Sequence, residues 1–69
     1  MDIIKLREPY IKLGQALKAA GLVGSGVEAK VAILDGEVTV NGAVETQRGK
    51  KLVGGEIISY HGHSVKIEA

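Results

Sequence analysis

The chain has 69 residues, of which nine are Lys or Arg and eight are Asp or Glu, giving a net charge of +1 and a pI near 8.1. That length leaves room for one domain with one small core, and the core must be aliphatic, because 21 Leu, Ile and Val residues stand beside two Tyr and no Phe or Trp. The absence of cysteine excludes disulfide staples and thiolate metal sites, and the near-neutral balance means that an anionic partner has to be held by local clusters of charge. The longest apolar run, Val31-Ala-Ile-Leu34, is far short of the roughly 20 residues a membrane span needs. No secretory signal pattern opens the chain, so the expectation is a soluble, cytoplasmic protein without a membrane partner.

In chain order, Asp2-Ile-Ile-Lys-Leu6 is short and partly β-branched, suited to an edge strand added to a sheet built later. Arg7-Glu8-Pro9 is a connector, because the proline biases Glu8 away from helix. Tyr10-Ile-Lys12 then leads into a helix opening near Leu13, with Leu13, Ala16, Leu17 and Ala20 at helical spacing and Gly21 as its stop. Lys12, Gln15 and Lys18 are left pointing away from the core.

The connection Leu22-Val-Gly24 is short, so the next helix must sit against the first. Ser25 with Glu28 three residues on is a capping box, in which the serine oxygen takes the N3 amide and the carboxylate reaches back to the cap amide. A helix therefore begins there and stops at Gly36. Val27, Val31 and Leu34 form one apolar line along it, and Ala29, Ala32 and Ile33 a second, which predicts a helix buried on most sides. Lys30 lies one turn beyond Gly26 on the same face.

Glu37-Val-Thr-Val-Asn-Gly42 switches to β-branched alternation and closes on Asn41-Gly42, the pair that most readily takes positive φ at both centres of a tight turn. Ala43-Val44 returns as a partner strand, and Glu45–Lys50 follows as a polar loop. Lys51-Leu-Val53 is expected to resume the sheet, Gly54-Gly55 to turn it, and Glu56–Tyr60 and His63–Glu68 to close it around a His61-Gly62 turn. Two short packed helices followed by a small, mainly antiparallel sheet make the fold α+β, one unit over residues 1–69 without internal repeat or linker.

Three groups of residues could carry chemistry. Arg48, Lys50 and Lys51 crowd a glycine-containing loop, where close cations either stay solvated or share an anion such as phosphate; spacing leaves both readings open. His61-Gly-His63 offers two metal-capable rings but no third ligand nearby, and the intervening glycine suggests a turn that splays them. Ser25, Ser59 and Ser64 coexist with two histidines, yet no nucleophile elbow or phosphate-binding loop motif is present, and so small a chain lacks the walls of a dry substrate cavity. No catalytic residue, cofactor, metal or small-molecule substrate is expected.

The order of a helix, a Ser-capped helix, Gly36-Glu-Val-Thr-Val-Asn-Gly42, a polar loop and Leu52-Val-Gly-Gly-Glu-Ile57 resembles the RNA-binding domain first defined in small-subunit ribosomal protein four, the S-four domain. The resemblance runs from about Tyr10 to Tyr60. It is strongest to small stand-alone bacterial members of the YbcJ type, through Leu13-Gly-Gln-Ala-Leu-Lys18, Ser25-Gly-Val-Glu-Ala-Lys30 and Arg48-Gly-Lys-Lys-Leu52. It implies an αL-type fold that holds structured RNA, ribosomal or transfer RNA being the candidates, mainly by its phosphates. The surface would combine Lys12, Lys18, Ser25, Gly26, Lys30, Gln47, Arg48, Lys50 and Lys51. One departure stands out: where many members follow the capping serine with arginines, this chain has Gly26 and Val27. With only Tyr10 and Tyr60 able to stack, the chemistry favours folded or double-helical RNA over a platform for splayed bases. The competing reading is a protein-interaction module, favoured by a large exposed apolar patch without a convergent basic face.

Overall fold

Strand β1 (Asp2–Lys5) and a two-residue strand β2 (Ile11–Lys12) precede helices α1 (Leu13–Ala19) and α2 (Gly26–Leu34). The remaining strands are β3 (Val38–Val40), β4 (Ala43–Val44), β5 (Lys51–Leu52), β6 (Ile57–Tyr60) and β7 (His63–Glu68). The computed structural model describes all 69 residues, Met1–Ala69. Five strands form the main sheet in the order β1-β7-β6-β3-β4. Its pairs are antiparallel except β1 with β7, where Asp2 lies opposite Val65 and Lys5 opposite Glu68. The expected edge strand is therefore present, added in parallel to the last strand of the chain.

Local chemistry sets most of the boundaries. Gly21 adopts φ +73 after α1, with the Leu22 amide donating to the Leu17 carbonyl at 3.0 Å, and Gly36 adopts φ +77 after α2, with Glu37 N–H donating to Ala32 O at 3.1 Å. Both are left-handed helix stops that satisfy carbonyls otherwise left open. Two tight turns carry positive φ at both central residues, Asn41 and Gly42 at 52° and 84°, His61 and Gly62 at 48° and 81°, which matches the twist of the strands they join. Asn41 does more than turn the chain. Its Oδ1 accepts from the Ile57 amide at 2.9 Å and its own amide donates to the Ile57 carbonyl at 2.8 Å, which fixes the turn to β6.

Alternation directs Val38, Ile58, Val65 and Ile67 to the helix-covered side of the sheet, where they are buried with Leu13, Leu17, Ile33 and Leu52. Val23 and the alanines Ala16, Ala29 and Ala32 complete this core, the alanines being small residues that let two helices approach closely. Tyr60 packs against its edge and stacks on His61, with ring centroids 3.9 Å apart.

Two expectations are corrected. Lys51-Leu52 does not resume the main sheet; it pairs with Ile11-Lys12 in a separate two-stranded ribbon, Ile11 opposite Leu52 and Lys12 opposite Lys51. The reason is the bend that follows it. Gly54 and Gly55 adopt φ +125 and +94, and the Glu56 carboxylate accepts from the amides of Val53 and Gly54, each at 2.8 Å, turning the chain away before β6 begins. Nor is α2 buried on most sides. Ala29, Ala32 and Ile33 face the core, while Val27, Val31 and Leu34 stand in solvent at 73%, 52% and 59% exposure.

Candidate nucleic-acid interface

The β2–β5 ribbon brings the polar loop to the start of α1. Every helix begins with amides that lack an intrahelical acceptor; here the amide of Leu13 donates to the Lys50 carbonyl at 2.9 Å and that of Gly14 to the Arg48 carbonyl at 3.1 Å. The loop is thus docked on the helix by its backbone, and its side chains are free to face outward. The Lys12 amide finds its acceptor in Gln15 Oε1 at 3.1 Å. Gly14 allows the close fit, because a Cβ there would lie 2.9 Å from Cγ and 3.5 Å from Cδ of Arg48. The stem of Arg48 therefore runs across bare helix backbone.

At α2 the satisfaction is local. Ser25 Oγ accepts from the Glu28 amide at 3.1 Å, and the Glu28 carboxylate reaches back to the amide of Gly24 at 2.8 Å, one residue earlier than the expected cap amide. The amides of Gly26 and Val27 make no hydrogen bond within the chain. They lie at the positive end of the helix dipole.

Between these features runs a groove of about 350 Å³ lined by Lys12, Gly14, Gln15, Lys18, Gly26, Ala29, Arg48 and Gly49. Ala29 is its one apolar member. Four sequence-derived site residues, Lys12, Lys18, Gly26 and Arg48, meet here although they come from three separate parts of the chain. Lys51 is beside Lys12 by strand register, with its Nζ 4.7 Å from the centroid of the Tyr10 ring. Ser25 caps the helix whose first residue lines the groove. Lys30, Gln47 and Lys50 are exposed but are not part of the lining. The positive charge of Lys50 acts on Glu56 instead.

The only close contact between a basic and an acidic side chain joins His61 Nε2 to Glu37 Oε1 at 3.0 Å. None of the groove cations therefore has a carboxylate partner, and three unpaired cations around one concavity repel one another until an anion shares them. Sequence reading missed Gly14, Gln15, Ala29 and Gly49 as part of this surface. For Gly14 the available signal was a glycine inside a helical pattern, which costs helix stability and so points to something packed against it.

Two titratable groups outside the groove lining are shifted from their ordinary values. Partial burial works to raise the pKa of Glu56, but the amides of Val53, Glu56 and Gly54 and the charge of Lys50 outweigh it and hold that carboxyl below its ordinary value. Partial burial, reinforced by the carboxylates of Glu37 and Glu28, pushes the Tyr60 phenol up. No three His, Asp or Glu side chains come together in a group that could hold a metal ion, and no helix is long and apolar enough to cross a membrane.

Comparison with known proteins places residues 4–68 on the S4 domain. The chain is 44% identical over 63 residues to YbcJ of Escherichia coli (strain K12), covering 91% of this chain and 90% of that protein. It is 37% identical over 59 residues to the Bacillus subtilis (strain 168) protein named "Probable ribosome maturation protein RlbA", covering 86% and 83% of the two chains. Its structure is similar to the solution structure of E. coli YbcJ, described as revealing an αL motif involved in RNA binding. The TM-score is 0.77 at 43% identity, over 100% of this chain and 89% of that one.

Proposed function

The chain belongs to the S4 domain family, and on that premise we propose that it is a non-enzymatic cytoplasmic protein that binds structured RNA, mainly through phosphates, at the groove between α1, the start of α2 and the Arg48 loop. The observation that carries this reading is the convergence of Lys12, Lys18 and Arg48 around one concavity with no carboxylate paired to any of them. Phosphate oxygens supply the missing negative charge. The free amides of Gly26 and Val27 offer hydrogen bonds at the two positions where this chain departs from the arginines of many family members. Because Gly26 has no side chain, a sugar-phosphate backbone can approach that helix end closely.

The roles divide by position. Lys12, Lys18 and Arg48 neutralise phosphates in the groove, and Lys51 extends the same face along the ribbon. Ser25 and Gly26 form the helix end that meets a phosphate, Gln47 contributes a neutral hydrogen bond, and Lys30 and Lys50 act at the rim. With a net charge of +1, affinity comes from this local set. The name of the B. subtilis relative makes ribosomal RNA the first target to try.

Removing one phosphate contact should weaken all sequences alike and reduce the salt slope of binding by about one unit. Titrating wild type, Arg48→Ala and Lys12→Ala against a stem-loop RNA at several salt concentrations tests this. Slopes equal to that of wild type would take the groove out of the interface. The stripe of Val27, Val31 and Leu34 favours a second reading, a protein-docking module. On that reading Val31→Glu abolishes capture of a partner while Arg48→Ala does not; on the RNA reading Val31→Glu leaves the titration unchanged.

A further inference from the structure

A second cavity, of about 340 Å³, adjoins the first and is lined by different residue types: five of its nine residues are apolar, against one of eight in the groove, and the other four are Lys5, Arg7, Glu8 and Gln15. Leu6, Tyr10, Ile11 and Ala19 form much of its wall, and Gln15 lines both cavities. The volume falls in the range of roughly 300–1,000 Å³ typical of small-ligand sites. A phosphate can pair with Lys5 or Arg7 at the edge of this cavity but gains nothing from its aliphatic and aromatic wall. The base attached to that phosphate has the opposite preference.

We propose that this second cavity seats one unpaired nucleobase of the RNA whose phosphates lie in the neighbouring groove. The inference rests on the RNA reading above and specifies its substrate: a duplex carrying a bulged or overhanging nucleotide.

Continuity with the cationic groove carries the argument. Gln15 lines both cavities and marks their seam; Lys12 lines the first, and Lys51, opposite Lys12 in strand register, sits 4.7 Å over the ring of Tyr10, which lines the second. A nucleotide with its phosphate at that seam has its base directed to the aromatic and aliphatic wall. Polar groups for reading the base edge are in place. Gln15 Oε1 is committed to the Lys12 amide at 3.1 Å, which leaves the side-chain NH2 free to donate to a base carbonyl. Glu8, also in the lining, can accept from an exocyclic amino group, and Arg7 offers a planar cation. An unpaired base is specified because extruding a paired one costs a few kcal/mol of stacking and pairing, whereas a bulge has lost most of that already.

The test uses the full chain and two RNA duplexes of equal length, one fully paired and one with a single bulged 2-aminopurine. Stacking on one aromatic ring is worth about fivefold or more in affinity. The expected result is that preference for the bulged duplex, together with a change in 2-aminopurine fluorescence on binding. Tyr10→Leu should lower the bulged duplex to the affinity of the paired one without altering the paired duplex or its salt slope, and Tyr10→Phe should restore the preference. Equal affinity for both duplexes with unchanged fluorescence overturns the base seat while leaving the phosphate groove standing. So does competition by free AMP as effective as that of the bulged RNA, which would assign the cavity to a free nucleotide. Failure of both duplexes to bind at low salt overturns the groove reading and this one together.

Discussion

Helices α1 and α2 differ in how they begin and in what they show solvent, although both bury alanines in the shared core. The first amides of α1 are held by carbonyls of Arg48 and Lys50, more than thirty positions along the chain, whereas α2 is capped by Ser25 and Glu28 within its own first turn. The solvent side of α1 presents Gln15 and Lys18 to a groove; that of α2 presents Val27, Val31 and Leu34 to open water. A helix whose cap is local stands on its own signals. A helix whose cap is borrowed carries with it the loop that lends the carbonyls, and here that loop holds Arg48.

The sharpest way to break the comparison is a pair of adjacent substitutions on α2. Ile33 is fully buried and Leu34 is 59% exposed, so Ile33→Ala should cost about 2–5 kcal/mol, the range for emptying a core site. Leu34→Ala should change stability by only about 0.5 kcal/mol, as exposed substitutions do. Urea unfolding followed by circular dichroism measures both. Equal losses would mean that both apolar lines of α2 are covered, as its pattern alone suggests.

Smaller effects separate the two kinds of cap. Ser25→Ala removes the acceptor of the Glu28 amide and should cost about 1 kcal/mol, and because Ser25 is uncharged the salt slope of RNA binding should stay that of wild type. Gly14→Ala should do the reverse. What a helix gains from Ala over Gly is at most about 1 kcal/mol, and it is set against moving the Arg48 stem, which lies 2.9 Å from the new Cβ. Stability should therefore change by less than about 1 kcal/mol, while the displaced guanidinium lowers RNA affinity. A variant of unchanged affinity would show that the fit of Arg48 over Gly14 is incidental.

The same contrast explains what could be read in advance. Ser25, Gly21, Gly36, Asn41-Gly42 and His61-Gly62 act on neighbours within a few residues, so their identity alone predicts a cap, a stop or a turn, and each is found doing that. The β2–β5 ribbon could not be read so. It joins Ile11-Lys12 to Lys51-Leu52, two residues on each side, too few to show any alternation. With the ribbon went the place of the Arg48 loop, and so the convergence of Lys12, Lys18 and Arg48 was an implication of family resemblance rather than of spacing. The misjudged face of α2 has another origin. Glu28, Lys30 and Asp35 fall between its two apolar lines, and a pattern that is apolar on opposite sides does not say which side meets the core. Close approach decides it, because Ala29 and Ala32 admit a neighbouring helix where Val27 and Val31 would hold it off.

The most delicate probe of the borrowed cap is acid. Glu56 holds the Val53–Gly54 bend that ends β5, and β5 carries the loop whose carbonyls satisfy α1. Its carboxyl is held below the ordinary value in the folded chain, because the amides and Lys50 that favour the charged form outweigh its partial burial. A lowered carboxyl pKa contributes stability that is present above the unfolded value, about 4.3, and is lost as pH falls through the lower, folded one. Wild type should therefore lose stability below about pH 4.3 more steeply than Glu56→Gln, and the two should converge in acid. Amide exchange read by NMR locates the effect. Protection at Val53, Gly54, Leu13 and Gly14 should fall together as Glu56 protonates, whereas a loss that began at Glu28 would place the acid-sensitive joint at the local cap of α2 instead.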